Sequence, residues 1–355
     1  ILTGLSFKEK EKYLNFGLSL LKKIINFSFD KQGFPKSRNI RQLNFYLKYF
    51  VLIREWLKES QEDIPEYLDE IIFYLGQSYS ILLKGIKKNI LFNGNHEVNN
   101  KDFDQYLINH GYKFTNNSFE SGGYAIFKNK KLTLAIDIGP SPEKKFSRDY
   151  QCGTLSFEII SNNKKLICNS GYFQKKKHKL NYISKLSANH STLVIDNHSS
   201  CKIHSSKQEI VQGLKILKKT FIMEKNYWNI CASHDGYSKR YGIIHERQIE
   251  FFSENNKFIG QDKLLKKKNF KGSSFEIRFH LEPNVKIMKT QDKKSILIDI
   301  ENEGWKFTCP GFKIDIETGL YFGKKNSFTE NKNLFIAGIT QNNDQTIKWE
   351  FEKIT

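Results

Sequence analysis

Apolar residues recur at helical spacing through the first quarter of the chain and at strand spacing through most of the rest. Between residues 7 and 90 the reading is helical. A run from Ser6 carries Leu14, Leu18, Leu21 and Ile25 along one face, and the Gly- and Pro-containing segment from Asp30 to Lys36 ends it. A second helix carries Leu43, Tyr46, Leu47, Phe50, Val51 and Leu57 on a broad stripe. A third, from near Pro65, carries Leu68, Ile71, Ile72, Leu75, Tyr79 and Leu82. Beyond Lys101 a short helix leads toward Tyr112.

From Ser121 onward the period changes to that of strands. The expected strands are 124–127, 132–138, 154–160, 166–169, 192–196, 243–252, 274–280, 285–290, 295–301, 305–309, 313–317, 333–339 and 346–352. Asn-Asn, Asp-Lys-Lys and Glu-Asn-Glu-Gly turns separate them at intervals of roughly 8 to 12 residues, the spacing of an antiparallel sandwich. The expected fold class is multidomain α and β. Residues 1–95 form a helical part and residues 96–355 a large antiparallel β-sandwich, with the natural cleft where the two meet.

Composition narrows this picture without changing it. With 355 residues and 39% apolar content the chain can bury a sizeable core, and its length suits two domains. No apolar run approaches the roughly 20 residues of a membrane span. The N-terminus has neither Met nor signal-peptide anatomy, so the sequence does not name a compartment. Five Cys without C-x-x-C spacing set no disulfide framework, and Cys152, Cys168 and Cys231 lie in strand-like patterns as buried thiols.

The net charge of +19 points to a polyanion, either an acidic polysaccharide or a nucleic acid. Abundant Lys, Asn and Ile with scarce Ala, Pro and Arg also follow from an AT-rich genome, whatever the ligand. No helix-turn-helix, zinc-finger or RNP-like pattern accompanies the charge, which sets nucleic acid aside. The basic runs Lys175 to Lys179 and Lys263 to Lys271 are expected in loops, either as a polysaccharide track or as solvated surface.

Candidate chemistry concentrates between residues 149 and 196, where polar residues recur at strand ends. Three successive strands bring Gln151, Asn169 and His190 to one neighbourhood. Two neutral amides make a poor zinc set beside His190, so the alternative is a hydrogen-bonded cluster that pins three strands. Asp149 is a candidate base whose charge Arg148 offsets, and Tyr150 and Tyr172 are candidate phenols. In the helical part Arg38, Asn39, Arg41 and Tyr46 cluster around one helix start, with Arg38 and Asn39 suited to a carboxylate. The competing reading makes Ser37 or Asn39 a helix cap, leaves the arginines solvated and puts Tyr46 in the core. His245, Arg247 and His280 read as buried structural landmarks.

These residues resemble the heparinase II/III-like polysaccharide lyases of the bacterial branch. In that family a His-x-His-x-Asp-x-x-x-Phe-Glu-like strand, an Asp-Ser-Gly turn and an Ala-Ala-His-Asn/Ser-Thr segment supply a catalytic His and metal ligands. Here Asp149, Gln151, Asn169 and His190 fill those positions, and His190 alone keeps the ligand type. Asp235-Gly236-Tyr237, Gly242, His245, Arg247, Arg278 to Pro283 and Trp305 look like landmarks of the family's C-terminal β domain. Ser37-Arg38-Asn39 and Leu91 to Gly94 resemble its upstream part.

The resemblance implies a helical part that closes an α/α toroid, usually longer in the family, so an N-terminal portion is expected to be missing. It implies β-elimination on a uronate-containing glycan, with the periplasm or cell envelope as compartment. That reaction needs a neutralised C5 carboxylate, a base for the C5 proton and an acid for the departing oxygen. Arg38, Asn39, Tyr46, Asp149 and Tyr150 are the catalytic candidates. Arg41, Gln151, Tyr172, Lys175 and Lys177 are the substrate-binding ones. No cofactor is expected, zinc being the divalent metal considered, and the oligomeric state stays open. Three readings follow: an active lyase, a weakened or inactive relative that binds acidic glycans, and a scaffold.

Overall fold

The computed structural model describes residues 1–7, 10–84 and 88–355, so the expected helical stretch at 8–9 and 85–87 lies outside the described residues. The chain forms two compact units, Ile1–Lys87 with Val98–Gly122, and Lys88–Glu97 with Gly123–Thr355. The expectation of one boundary near residue 95 therefore gives way to a chain that crosses between units three times. Hydrogen bonds show why. In the first unit Tyr79 donates to Asp104 at 2.8 Å and Tyr112 to Glu55 at 2.6 Å, tying 98–122 to the helices. In the second, Glu158 accepts from the Leu91 N–H at 2.9 Å and Gln151 from the Gly94 N–H at 2.8 Å, which ties 88–97 to the sheets.

The first unit contains α1 (Leu2–Ser6), α2 (Lys10–Ser28), α3 (Ile40–Glu59), α4 (Glu66–Leu82) and α5 (Lys101–Asn109). Asn39 caps α3, its side-chain oxygen accepting from the Gln42 N–H at 3.1 Å. The apolar stripes of α3 and α4 pack together, with Leu43, Leu47, Phe50, Val51, Leu68, Ile72 and Leu75 buried. Gly76 on α4 lies under the Phe114 ring, where any Cβ would collide.

The second unit is built of antiparallel sheets. The largest runs in the order 286–289, 295–299, 304–308, 345–353, 257–266, 243–252, 227–234 and 216–223. A four-stranded sheet takes 315–321, 329–339, 274–280 and 193–195. Another sheet contributes 124–128, 132–137, 157–161 and 164–167. A bridge between Cys168 and His280 joins these smaller sheets. They face the largest one through aromatic contacts. Phe157 stacks on Trp349 at 5.1 Å between ring centres, and Phe279 meets Trp349 and Phe307, each at 5.0 Å. Gly260 sits across from Trp349 in register, leaving the room that its indole fills.

Two corrections follow from these sheets. Lys263 and Lys266 were expected in a loop but end the strand Lys257–Lys266. Leu264 points into the core while Lys263 turns outward to Glu246 at 3.2 Å, and this alternation overrides the local charge. Strand Ile216–Met223 is not among the expected ones, and Tyr227–His234 is anticipated only by the strand-like pattern around Cys231. The second has a strand signal in the alternation of Trp228, Ile230 and Ala232, all buried. The first is an edge strand with mostly exposed residues and carries none.

Candidate functional site

The loops before and after the strand pair Phe157–Ser161 and Lys164–Ile167 converge, together with the segment 184–191, on one buried polar region. Gln151 lies at its centre. Its amide nitrogen donates to the carbonyls of Gly171 at 2.9 Å and Ser184 at 2.7 Å, while its oxygen accepts from Gly94. Asn169 donates to Glu158 at 3.2 Å through its amide nitrogen and accepts from the Ser191 N–H at 3.0 Å. The expected neighbourhood of Gln151, Asn169 and His190 therefore forms, with backbone hydrogen bonds joining the three segments.

His190 is buried against Gly153, whose missing side chain leaves room for the ring: a Cβ there would lie 3.0 Å from the imidazole carbon. Among the described residues neither ring nitrogen has a well-aligned hydrogen bond, and the Ser184 carbonyl, which also accepts from Gln151, lies within reach of the ring. Burial pushes the His190 pKa down to about 3, so the ring is neutral. His280 is likewise held at about 3 by burial and by its neighbours His190 and Arg278. Its ring bridges Ser170 Oγ at 3.2 Å and the Ala188 carbonyl at 3.0 Å.

The donor chemistry does not fit a divalent metal. Both amide oxygens that would ligate are engaged by backbone N–H groups, leaving the nitrogens of one neutral histidine. Among the described residues no three His, Cys, Asp or Glu side chains gather into a metal-binding group.

A charged node in the opposite sheet supports this region. Arg247 grips Asp262 with Nε at 2.7 Å and Nη2 at 2.9 Å, and Asp262 also receives His245 at 2.6 Å and Trp349 Nε1 at 2.8 Å. Burial alone would raise the Asp262 pKa, but Arg247 and His245 hold it well below the carboxylate range. The remaining Arg247 nitrogen donates to the carbonyls of Leu155 at 2.8 Å and Ser191 at 2.6 Å. Leu155 has φ +61°, and this grip helps hold its left-handed backbone. Arg247 and His245 are thus buried supports.

A second group lies nearer the surface. Tyr172, buried after the Asn-Ser-Gly turn, donates its phenol to Asp149 Oδ1 at 2.9 Å and accepts from Asn181 at 3.1 Å. Asp149 is half-buried and Arg148 beside it is exposed. The Lys185 ammonium lies 5.9 Å from the centre of the Tyr172 ring and donates to the Arg148 carbonyl at 2.6 Å. Burial draws the Lys185 pKa down to about 8. Lys175 and Lys177 are exposed, and His178 caps the short helix Lys179–Ile183, so the basic run extends into a helix. His96 meets Gln174 next to Lys175, Nδ1 to Nε2, at 3.0 Å.

The structure separates the other candidates. Tyr150 is buried with Cys152, Cys201 and Leu214, its hydroxyl 3.0 Å from Thr154 Oγ1, which makes it core instead of a surface phenol. In the helical unit Arg38 is buried at φ +56° and donates to the Gly122 carbonyl at 3.0 Å, so it is not solvated. The Asn39 amide nitrogen is buried without a partner among the described residues, beside its capping oxygen. Arg41 is half-buried, and Tyr46 packs edge-on against Phe29 at 4.9 Å. No sequence motif singles out Lys185 or Asn181, whose place in the site comes from the fold.

Residues 113–350 match the family described as heparinase II/III-like, C-terminal. The chain belongs to that family. No curated protein matches the sequence. Among solved structures, a heparan sulfate lyase from Pedobacter heparinus aligns with a TM-score of 0.77 at 13% identity, over 99% of this chain and 58% of its own. One heparinase III aligns with a TM-score of 0.78 at 14% identity, over 99% and 57%. Another reaches 0.74 at 15%, over 98% and 58%. At such identities the likeness is one of fold. The chain spans a little over half the length of these enzymes.

Proposed function

We propose that the chain is a polysaccharide lyase that cleaves an acidic, uronate-containing glycan by β-elimination. The observation that carries this reading is the Tyr172–Asp149 hydrogen bond at 2.9 Å, with Lys185 beside the ring and exposed Arg148 next to Asp149 in the chain. Asp149 takes the C5 proton, and the phenol of Tyr172 fixes the carboxylate that receives it. Arg148 offers a guanidinium to the uronate carboxylate, which both acidifies the C5–H and offsets repulsion between two anions. The electron pair of the C–H bond forms the C4–C5 double bond as the C4–O bond breaks. The proton on Asp149 is then available to the departing oxygen. The helices of the first unit are read, by the same proposal, as turns of an α/α toroid, and no metal is assigned a step.

A second reading, a relative that binds acidic glycans without cleaving them, is favoured by the engagement of both Gln151 and Asn169 with the backbone. Incubation with a panel of acidic polysaccharides, followed by the ultraviolet absorbance of the unsaturated product, decides between them. Product formed by the parent chain and lost in Asp149→Asn supports the lyase. Salt-sensitive binding without product supports the binder, and product undiminished in Asp149→Asn overturns the assignment of the base.

A further inference from the structure

The β unit holds a cavity of about 300 Å³ whose lining shares no residue with the Asp149–Tyr172 group. We propose that it is an accessory sugar-binding site that takes one or two pyranose rings. Its volume lies at the lower end of small-ligand sites, about 300–1,000 Å³.

Lys165, among the lining residues, is fully buried. Its ammonium pairs with Glu158 Oε2 at 2.9 Å, behind the wall of the cavity.

The rest of the lining narrows the ligand class. Lys88 pairs with Glu282 at 2.6 Å, Lys164 with Glu301 at 3.0 Å, and Tyr321 donates to Glu97 at 2.7 Å. The lining balances four lysines against four carboxylates, so the cavity does not concentrate one sign of charge as a phosphate or sulfate site would. It presents instead a fixed alternation of donors and acceptors, which suits a ring of hydroxyls. Phe328, 53% exposed at the cavity, supplies an apolar plate for the C–H face of such a ring. The proposal does not depend on the lyase reading.

The site would hold the chain end of a glycan at the β unit. Calorimetric titration and ligand-detected NMR of the full chain with cellobiose and with glucuronic acid test it. Saturable binding of either sugar is expected, weakened at least tenfold in Phe328→Ala, an exposed position whose truncation leaves the core intact. Asp149→Asn should change it less than twofold. Absence of saturable binding by both sugars overturns the proposal, as does binding that survives Phe328→Ala or that disappears in Asp149→Asn.

Discussion

Asp262 and Asp149 are carboxylates of the same unit with opposite surroundings. Asp262 is fully buried and receives Arg247, His245 and Trp349, so its hydrogen-bonding capacity is spent on the fold. Asp149 is half-buried, receives Tyr172, and lies beside exposed Arg148. The first arrangement keeps a charge inside by satisfying it from within. The second orients a charge and leaves it reachable. A carboxylate beside an arginine is therefore not a functional signal until its exposure is known.

The comparison breaks first at stability. Arg247→Met should cost about 3–5 kcal/mol, because Asp262 stays buried without its main partner and the Leu155 and Ser191 carbonyls lose their donor. Urea unfolding measures this, and a loss below about 1 kcal/mol would show that the node is not a support.

Asp149→Asn should lower product formation by about 10² or more while changing stability by only about 1 kcal/mol. Equal effects on activity and unfolding would instead make Asp149 a second Asp262.

Acid sharpens the contrast further. His280 is held at about 3, below the ordinary histidine value, so the unfolded chain binds a proton there that the folded chain refuses. The stability this contributes is complete above the unfolded pKa and is lost as pH falls from about 6.5 toward 3. At pH about 5.5 the loss from one such histidine is about 1.4 kcal/mol. Melting temperatures across this window should fall less steeply for His280→Gln than for the parent chain.

The smallest effect is expected at the exposed lysines. Lys175→Ala with Lys177→Ala should weaken binding to an acidic glycan by a few-fold at low salt, since solvated charges contribute at most about 1 kcal/mol each. The difference should vanish as ionic strength rises.

Much of the architecture was readable from periodicity. Leu43, Leu47, Phe50 and Val51 announced α3, and Pro65 marked the start of α4. The strands Ile243–Phe252 and Ser274–His280 lie where their alternation placed them. Local pattern failed at Ile216–Met223, an edge strand with no buried face to advertise it, and at Lys263, where charge masked a half-buried strand.

The candidate site was half legible. The sequence by itself pointed to Gln151, Asn169 and His190 as one polar neighbourhood, although the structure carries Gln151 and His190 on loops and not at the ends of adjacent strands. It also placed Asp149 beside Arg148. Only the tertiary structure decided that Tyr172 donates to Asp149 while Tyr150 turns inward to Thr154, although both were equal candidates by residue type. It alone showed that Lys185 lies beside that phenol and that Arg247 reaches Leu155 and Ser191 across the unit. The physical reason is range. Hydrophobic period is imposed by neighbours a turn or a pleat away, whereas exposure and hydrogen-bond partnership depend on segments tens of residues distant that folding brings together.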